Sequence, residues 1–386
     1  MKKSLVALAA LAVAGVASAQ SSVTLFGTVD ASVSGVSNKS SNGTSTVRTS
    51  STGLSGSNAN SSAFGFRGVE DLGGGLAASF WLEGDGSTDT GAGGTLLFGR
   101  RSTVSLSGNF GEIRLGRDYK PTFWNYAAYS PFGTNGVGTA LGYRAAALFE
   151  ASGGAVRSSN SIGYFLPANL GGFYGQVQYA FHEQTKYDDA TAQSTLNNNS
   201  RGGSYVGGRF GYANGPLDVS AAYGVQNVGS DFALGLDSLV KTFNAGATYD
   251  FGPLKLFAQY DHVKSDDGFY SIYGTTAVSG ADVTANAYLL GVTVPVGAGV
   301  IRASYGHVKF DLPTASWYGY TEPKADQLAL GYVHNLSKRT SLYATVSYLK
   351  NKDGSPLVLS GSYYGLTSGY TAKSSLGYDF GISHKF

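Results

Sequence analysis

The chain has 386 residues, with 27 Lys plus Arg, 25 Asp plus Glu and no cysteine. Its near-neutral charge gives no basis for a nucleic-acid partner or for bulk attraction to an anionic surface, and a disulfide framework is excluded. With 56 glycines, 26 tyrosines and 21 phenylalanines against one methionine, it suits many short strands and tight turns, not helices.

Residues 1–19 have the layout of a secretory signal peptide: Lys2 and Lys3, an uncharged apolar run from Leu5 to Val16, then Ala17-Ser18-Ala19. The pattern predicts a cut before Gln20 and a mature segment over 20–386; the apolar run is too short to serve comfortably as an anchor. Beyond it the dominant signal is alternation. Leu217, Val219, Ala221, Tyr223 and Val225 form one face of "PLDVSAAYGVQ", and Asp218, Ser220, Ala222, Gly224 and Gln226 the other. Such segments predict strands wet on one face. About sixteen occur in order, at 22–36, 61–70, 76–84, 95–108, 111–118, 156–166, 172–182, 202–212, 216–226, 240–250, 254–264, 282–294, 299–311, 325–335, 340–350 and 373–386. The uncharged run Val283–Ile301 is long enough for a membrane helix, but Pro295, Gly297 and Gly299 divide it into two strands and a turn.

The connections alternate too. Tight turns at 71–75, 108–111, 167–172, 212–216, 250–253, 295–299 and 335–340 are interleaved with long stretches at 37–60, 85–94, 119–155, 183–201, 227–239, 265–281, 312–324 and 351–372. An all-β, closed, antiparallel up-and-down transmembrane barrel gives this rhythm, with short turns at one rim and long loops at the other. Closure follows because hydrocarbon cannot satisfy a bare strand edge, so the segment Val23–Val33 is expected beside the last strand. There Tyr378, Phe380, Ile382 and Phe386 alternate with Asp379, Gly381, Ser383 and Lys385, which places Phe386 in an interfacial aromatic girdle. A barrel of this size holds water. A soluble sandwich, jelly roll or solenoid also alternates, but does not explain the regular turn and loop rhythm.

The residues also carry a resemblance. "SSVTLFGTVDASV", "FGFRGVEDLGGGL" (64–76), "LSGNFGEIRLGRD" (106–118), "SPFGTNGVG" (130–138), "RSSNSIGYFLP" (157–167) and the closing "GYDFGISHKF" together resemble the general porins of Gram-negative outer membranes, the beta-proteobacterial type above all. The resemblance implies a sixteen-stranded homotrimeric barrel whose third outside loop folds into the pore. It also implies partners: outer-membrane lipid and lipopolysaccharide, and a barrel-insertion machinery that reads the strand ending in Phe386. The expected function is passive diffusion of ions and small hydrophilic solutes, without a cofactor. A substrate-specific channel is the alternative.

The longest connection, Tyr119–Ala155, stands where that infolded loop belongs, and "YRAAALFE" (143–150) is predicted as a short helix in it. By the resemblance, basic wall residues face this loop. Arg157 matches one well. Arg100 or Arg101 matches a second, motif alignment favouring Arg100 and alternation favouring Arg101. Parity points Arg67 and Arg114 inward. The loop side of the constriction comprises Asp118, Lys120, Ser130, Pro131, Phe132, Gly133, Arg144 and Glu150. Two departures stand out: Ala63 replaces an arginine and Ser130 an acid that many relatives carry. The balance leans positive, which predicts weak anion preference. The competing expectation is that these arginines are paired with Asp30, Glu112 or other lumen acids and only shape the wall. Phe123, Trp124, Tyr126, Tyr129 and Phe132 are expected as packing rather than as a sugar slide.

An enzyme finds little support: G-x-S-x-G, a phosphate loop and H-E-x-x-H are all absent, and the five histidines are far apart. The acidic pairs Asp188/Asp189 and Asp266/Asp267 suit solvated loops better than metal sites. An adhesin reading rests only on the Ser/Thr/Asn-rich stretch 37–60, expected as a mobile loop.

Overall fold

In the computed structural model the described residues are 22–92, 97–150, 154–183, 201–231, 236–266, 282–312 and 322–386. The proposed signal segment, Asp188, Asp189 and Asp267 lie outside them. The strands are β1 (Ser22–Ser41), β2 (Thr46–Gly56), β3 (Ala63–Gly73), β4 (Leu76–Asp85), β5 (Arg101–Gly108), β6 (Gly111–Tyr119), β7 (Arg157–Phe165), β8 (Phe173–Ala180) and β9 (Tyr205–Asn214). They continue as β10 (Leu217–Asp231), β11 (Leu236–Asp250), β12 (Lys255–Asp266), β13 (Val283–Val296), β14 (Gly299–Asp311), β15 (Lys324–Asn335), β16 (Thr340–Lys352) and β17 (Thr371–Lys385). Between β6 and β7 lie two helices, α1 (Pro121–Ala128) and α2 (Leu141–Phe149).

Each strand from β3 onward pairs antiparallel with the next, and β17 returns to β1 from Thr28↔Lys385 to Ser41↔Thr371. The sheet is therefore a closed sixteen-position barrel with one extra strand. The extra strand is β2, in the stretch expected as a mobile loop. β1 runs on to Ser41, and its upper half, Ala31–Ser41, pairs with β2 while its lower half, Ser22–Thr28, pairs with β3. β2 and β3 thus share one wall position. Residues 57–62 between them turn inward, where the backbone N–H groups of Asn58 and Asn60 donate to the Asp30 carboxylate at 3.1 and 3.0 Å. Serine and threonine, small and polar, hide this strand from a pattern based on hydrophobicity; its pairing with β1 satisfies the backbone groups that would otherwise be bare.

The two faces of the wall differ as alternation demands. Outward residues include Leu290 and Leu328, 64% and 62% exposed. Apolar exposure on this scale, repeated on nearly every strand, is untenable in water and is relieved in lipid. Inward residues are mainly small or polar, such as Ser32, Gln259, Gln327 and Ser347. Among the described residues a dry core forms where the β6–β7 loop lies on the inner wall: Tyr126, Leu141 and Phe149 pack against Val240, Val308 and Phe310, and Leu357 and Leu359 of the β16–β17 connection join the same cluster. At the seam, Phe386 and Gly27 exchange two backbone hydrogen bonds, both 3.1 Å, and the Phe386 ring covers the space that a side chain at Gly27 would take.

Candidate constriction site

Pro121 opens α1 at a position where its missing N–H costs nothing. The helix then buries one face on β9–β11. Asn125 Nδ2 donates to the Asn244 carbonyl at 3.2 Å and Asn244 Nδ2 returns a bond to the Thr122 carbonyl at 2.9 Å. Tyr129 Oη reaches Ser220 Oγ at 2.7 Å. The chain then follows the wall: Tyr129 lies over Gly246 of β11, Pro131 over Gly291 of β13, Phe132 over Gly331 of β15 and Val137 over Gly377 of β17. A Cβ at any of these inward glycines would collide with the loop, so they form a track on which it is laid. α2 brings the chain back over β12–β14, with Phe149 stacked on Phe310 at 6.4 Å. In ring order β13 is diametrically opposite β5, so the loop coats one half of the lumen and faces the other half, β3–β7.

The two stems of the loop are tied together in the dark. Lys120 Nζ donates to Glu150 Oε2 at 2.6 Å, with the side chains 1% and 4% exposed. Burial pulls the Lys120 ammonium below its usual range, opposed by the Glu150 charge. Arg144 donates to four carbonyls, of Gly136, Thr139, Val358 and Leu359, at 2.9–3.2 Å. Burial lowers it to about 10, which leaves it charged at neutral pH. Lys120, Arg144 and Glu150 therefore hold the loop's shape, and Lys120 and Glu150 do not face the channel. Ser130, Pro131 and Phe132 are buried against the wall, with Gly133 in the turn between.

The opposite half carries the arginines. Both Arg100 and Arg101 face the lumen. Arg100 precedes β5 and escapes its alternation; it donates to Glu83 at 2.5 Å, Asp85 at 3.1 Å and Tyr119 Oη at 2.9 Å. Arg101 lies over the Trp81 ring at 4.6 Å and 3.7 Å from Asp118. Arg67 is exposed between Phe26 and Trp81, 5.5 and 5.3 Å from their ring centres. Arg114 donates to Glu112 at 3.0 Å and to Asp118 at 2.5 Å. Arg157 donates to Tyr119 Oη at 2.9 Å and lies 4.5 Å from that ring, while its Nε has no hydrogen-bond partner among the described residues. Among the described residues Arg67 and Arg157 have no carboxylate within ion-pair distance. Arg100, Arg101 and Arg114 do, so the wall acids Glu83, Asp85, Glu112 and Asp118 offset part of the charge. Asp30 pairs with none of them: Tyr343 Oη donates to it at 2.6 Å.

Sequence reasoning missed Tyr119 and Trp81, the aromatic platforms between the guanidiniums, and Arg209 of β9, which donates to Asn125 Oδ1 at 2.6 Å under α1. Parity marks Arg209 inward between Gly208 and Phe210; nothing local marks Tyr119. Of the acidic pairs, Asp266 is held between Lys241 and Lys264.

The fold and this half-covered lumen define a class: a water-filled channel of the outer membrane, narrowed by an infolded loop. The sequence profile described as "Gram-negative porin" matches residues 4–354. "Outer membrane porin protein 32" of Delftia acidovorans is 42% identical over 389 residues, spanning the whole of both chains. An outer membrane porin protein of Bordetella pertussis is 32% identical, covering 91% of this chain and 95% of that one. The solved "Anion-selective porin from Comamonas acidovorans" is 37% identical with a TM-score of 0.73, covering 95% of this chain and all of that one. The chain belongs to the Gram-negative porin family. It is an outer-membrane porin, a passive channel and not an enzyme.

Proposed function

We propose that this porin favours anions weakly, filtering by the width left between the infolded loop and β3–β7 and by the charge of that wall. The observation that carries the reading is the asymmetry of the lumen. The loop covers one half, with Lys120 and Glu150 paired and Arg144 buried among carbonyls, while the open half presents five arginines against four nearby acids. The uncompensated pair, Arg67 and Arg157, sets the sign. Local potentials of this kind concentrate counter-ions in a cleft, and the wall acids keep the preference modest. The similar Comamonas protein, described as an anion-selective porin, supports the sign. A reversal potential across a bilayer in a salt gradient tests the reading. Anion preference is expected; clear cation preference overturns it.

The finer partners belong to the same proposal. The barrel assembles as a homotrimer, resides among lipopolysaccharide, and is recognised for insertion through its terminal strand and Phe386. Three equal, coupled conductance steps on insertion are the expected signature of the trimer.

A further inference from the structure

Of Phe123, Trp124, Tyr126, Tyr129 and Phe132 in the infolded loop, all are buried except Trp124. Helix α1 lays Phe123, Asn125 and Tyr126 on the wall, which turns Trp124 toward the lumen. Ala128, one turn further along the same side, is small and exposed, so its methyl leaves that side of the indole open. Packing accounts for the other four rings and not for this one.

The indole stands at a charged corner. Its ring centre is 5.1 Å from that of Tyr119. Phe123 stacks on the Tyr119 ring at 5.2 Å, and the Arg157 guanidinium lies 4.5 Å over it. Tyr119 Oη accepts one N–H from Arg100 and one from Arg157, both at 2.9 Å, while its own proton has no acceptor among the described residues. Two cations polarise this phenol and make it a stronger donor to an anion. Arg157 Nη1 likewise has no hydrogen-bond partner among the described residues. Tyr143, edge-on to Phe123 at 6.0 Å, brings another hydroxyl without a partner there. Burial raises that hydroxyl and the Arg157 charge opposes the rise, so it stays protonated within electrostatic reach of the guanidinium.

The unfilled groups of this corner are therefore donors set beside an open indole face. Glu83 and Asp85 are engaged by Arg100, and Arg157 has no carboxylate within ion-pair distance among the described residues. A small inorganic or aliphatic anion uses the donors alone. A planar anion that carries its own ring uses the donors and the indole together.

We infer that this corner binds aromatic monocarboxylates, the carboxylate on Arg157 Nη1 and the Tyr119 hydroxyl, the ring on Trp124. The inference deepens the proposed filter and rests on it for the place where solutes pass.

The test records chloride current through the reconstituted porin in planar bilayers at neutral pH while benzoate, cyclohexanecarboxylate or benzamide is added. Benzoate is expected to block saturably, about fivefold more tightly than cyclohexanecarboxylate, which is the weight of an aromatic contact beyond its buried area. Uncharged benzamide is expected to bind roughly tenfold more weakly than benzoate, for want of a charged acceptor. Trp124→Leu is expected to bring the two acids to equal affinity, and Trp124→Phe, which keeps a ring, to retain the preference for benzoate. Arg157→Gln weakens both acids alike and preserves their ratio. Equal block by the two acids, no saturable block by benzoate, or an unchanged ratio in Trp124→Leu each overturns the inference. The two acids carry the same charge, so their ratio is independent of the pore's ion preference. A cation-preferring reversal potential in chloride overturns the sign of the filter alone; equal block in an anion-preferring pore overturns this inference alone.

Discussion

At the scale of single residues, the constriction is decided by which charges have partners. Arg67 and Arg157 lean on aromatic rings and hydroxyl groups, so replacing both by Gln removes uncompensated charge. The anion-to-cation permeability ratio is expected to fall by about fivefold for each charge removed, the weight of ~1 kcal/mol for a unit charge about 4 Å away in water. Glu83→Gln leaves Arg100 with Asp85 as its one carboxylate partner among the described residues and is expected to move the reversal potential the other way, toward stronger anion preference. Lys120→Met leaves Glu150 buried and unpaired, at a cost of about 3–5 kcal/mol, whereas Lys120→Met with Glu150→Leu recovers most of it. Limited proteolysis within 119–155 separates the two: the single variant is cut early, the double one resists. Arg100 and Arg101 show the limit of parity as a guide. Alternation applies inside a strand, and Arg100 stands just before one, free to turn the same way as its neighbour.

At the scale of elements, the infolded loop is held by glycines of distant strands. Gly246, Gly291, Gly331 and Gly377 sit on β11, β13, β15 and β17 and open the inner wall for Tyr129, Pro131, Phe132 and Val137. Gly291→Val is expected to push Pro131 into the lumen and lower single-channel conductance. The strand ladder is untouched, so the barrel's stability shifts by only about 1–3 kcal/mol of overpacking. The predicted helix at 143–150 is present, shifted to Leu141–Phe149. α1 is not legible in "PTFWNYAA", whose aromatics signal packing more strongly than helix. β2 is hidden for the opposite reason, a composition so polar that it looks like loop. Both elements form because a partner surface is already there.

At the scale of the whole molecule, the barrel is closed by its two ends. Phe386 contributes two backbone hydrogen bonds and a ring over Gly27. Deleting it is expected to cost about 1–3 kcal/mol for the bonds alone, seen as a lower urea midpoint in lipid vesicles. The asymmetry of the lumen also exists only at this scale. A loop leaving β6 must cross to β17 and return before one half of the wall is covered and the other left to solutes.

The architecture was legible because period two, turn residues and the rhythm of short and long connections are local, and hydrocarbon forces such strands to close. The inward bearing of Arg67 and Arg114 follows from the same alternation. What only the tertiary structure decided depends on residues far apart in sequence and adjacent across strands. These are the ion pairs that offset three of the five arginines, the glycine track beneath the loop and the Lys120–Glu150 tie. Register between strands sets all of them, and alternation along a single strand carries no information about register.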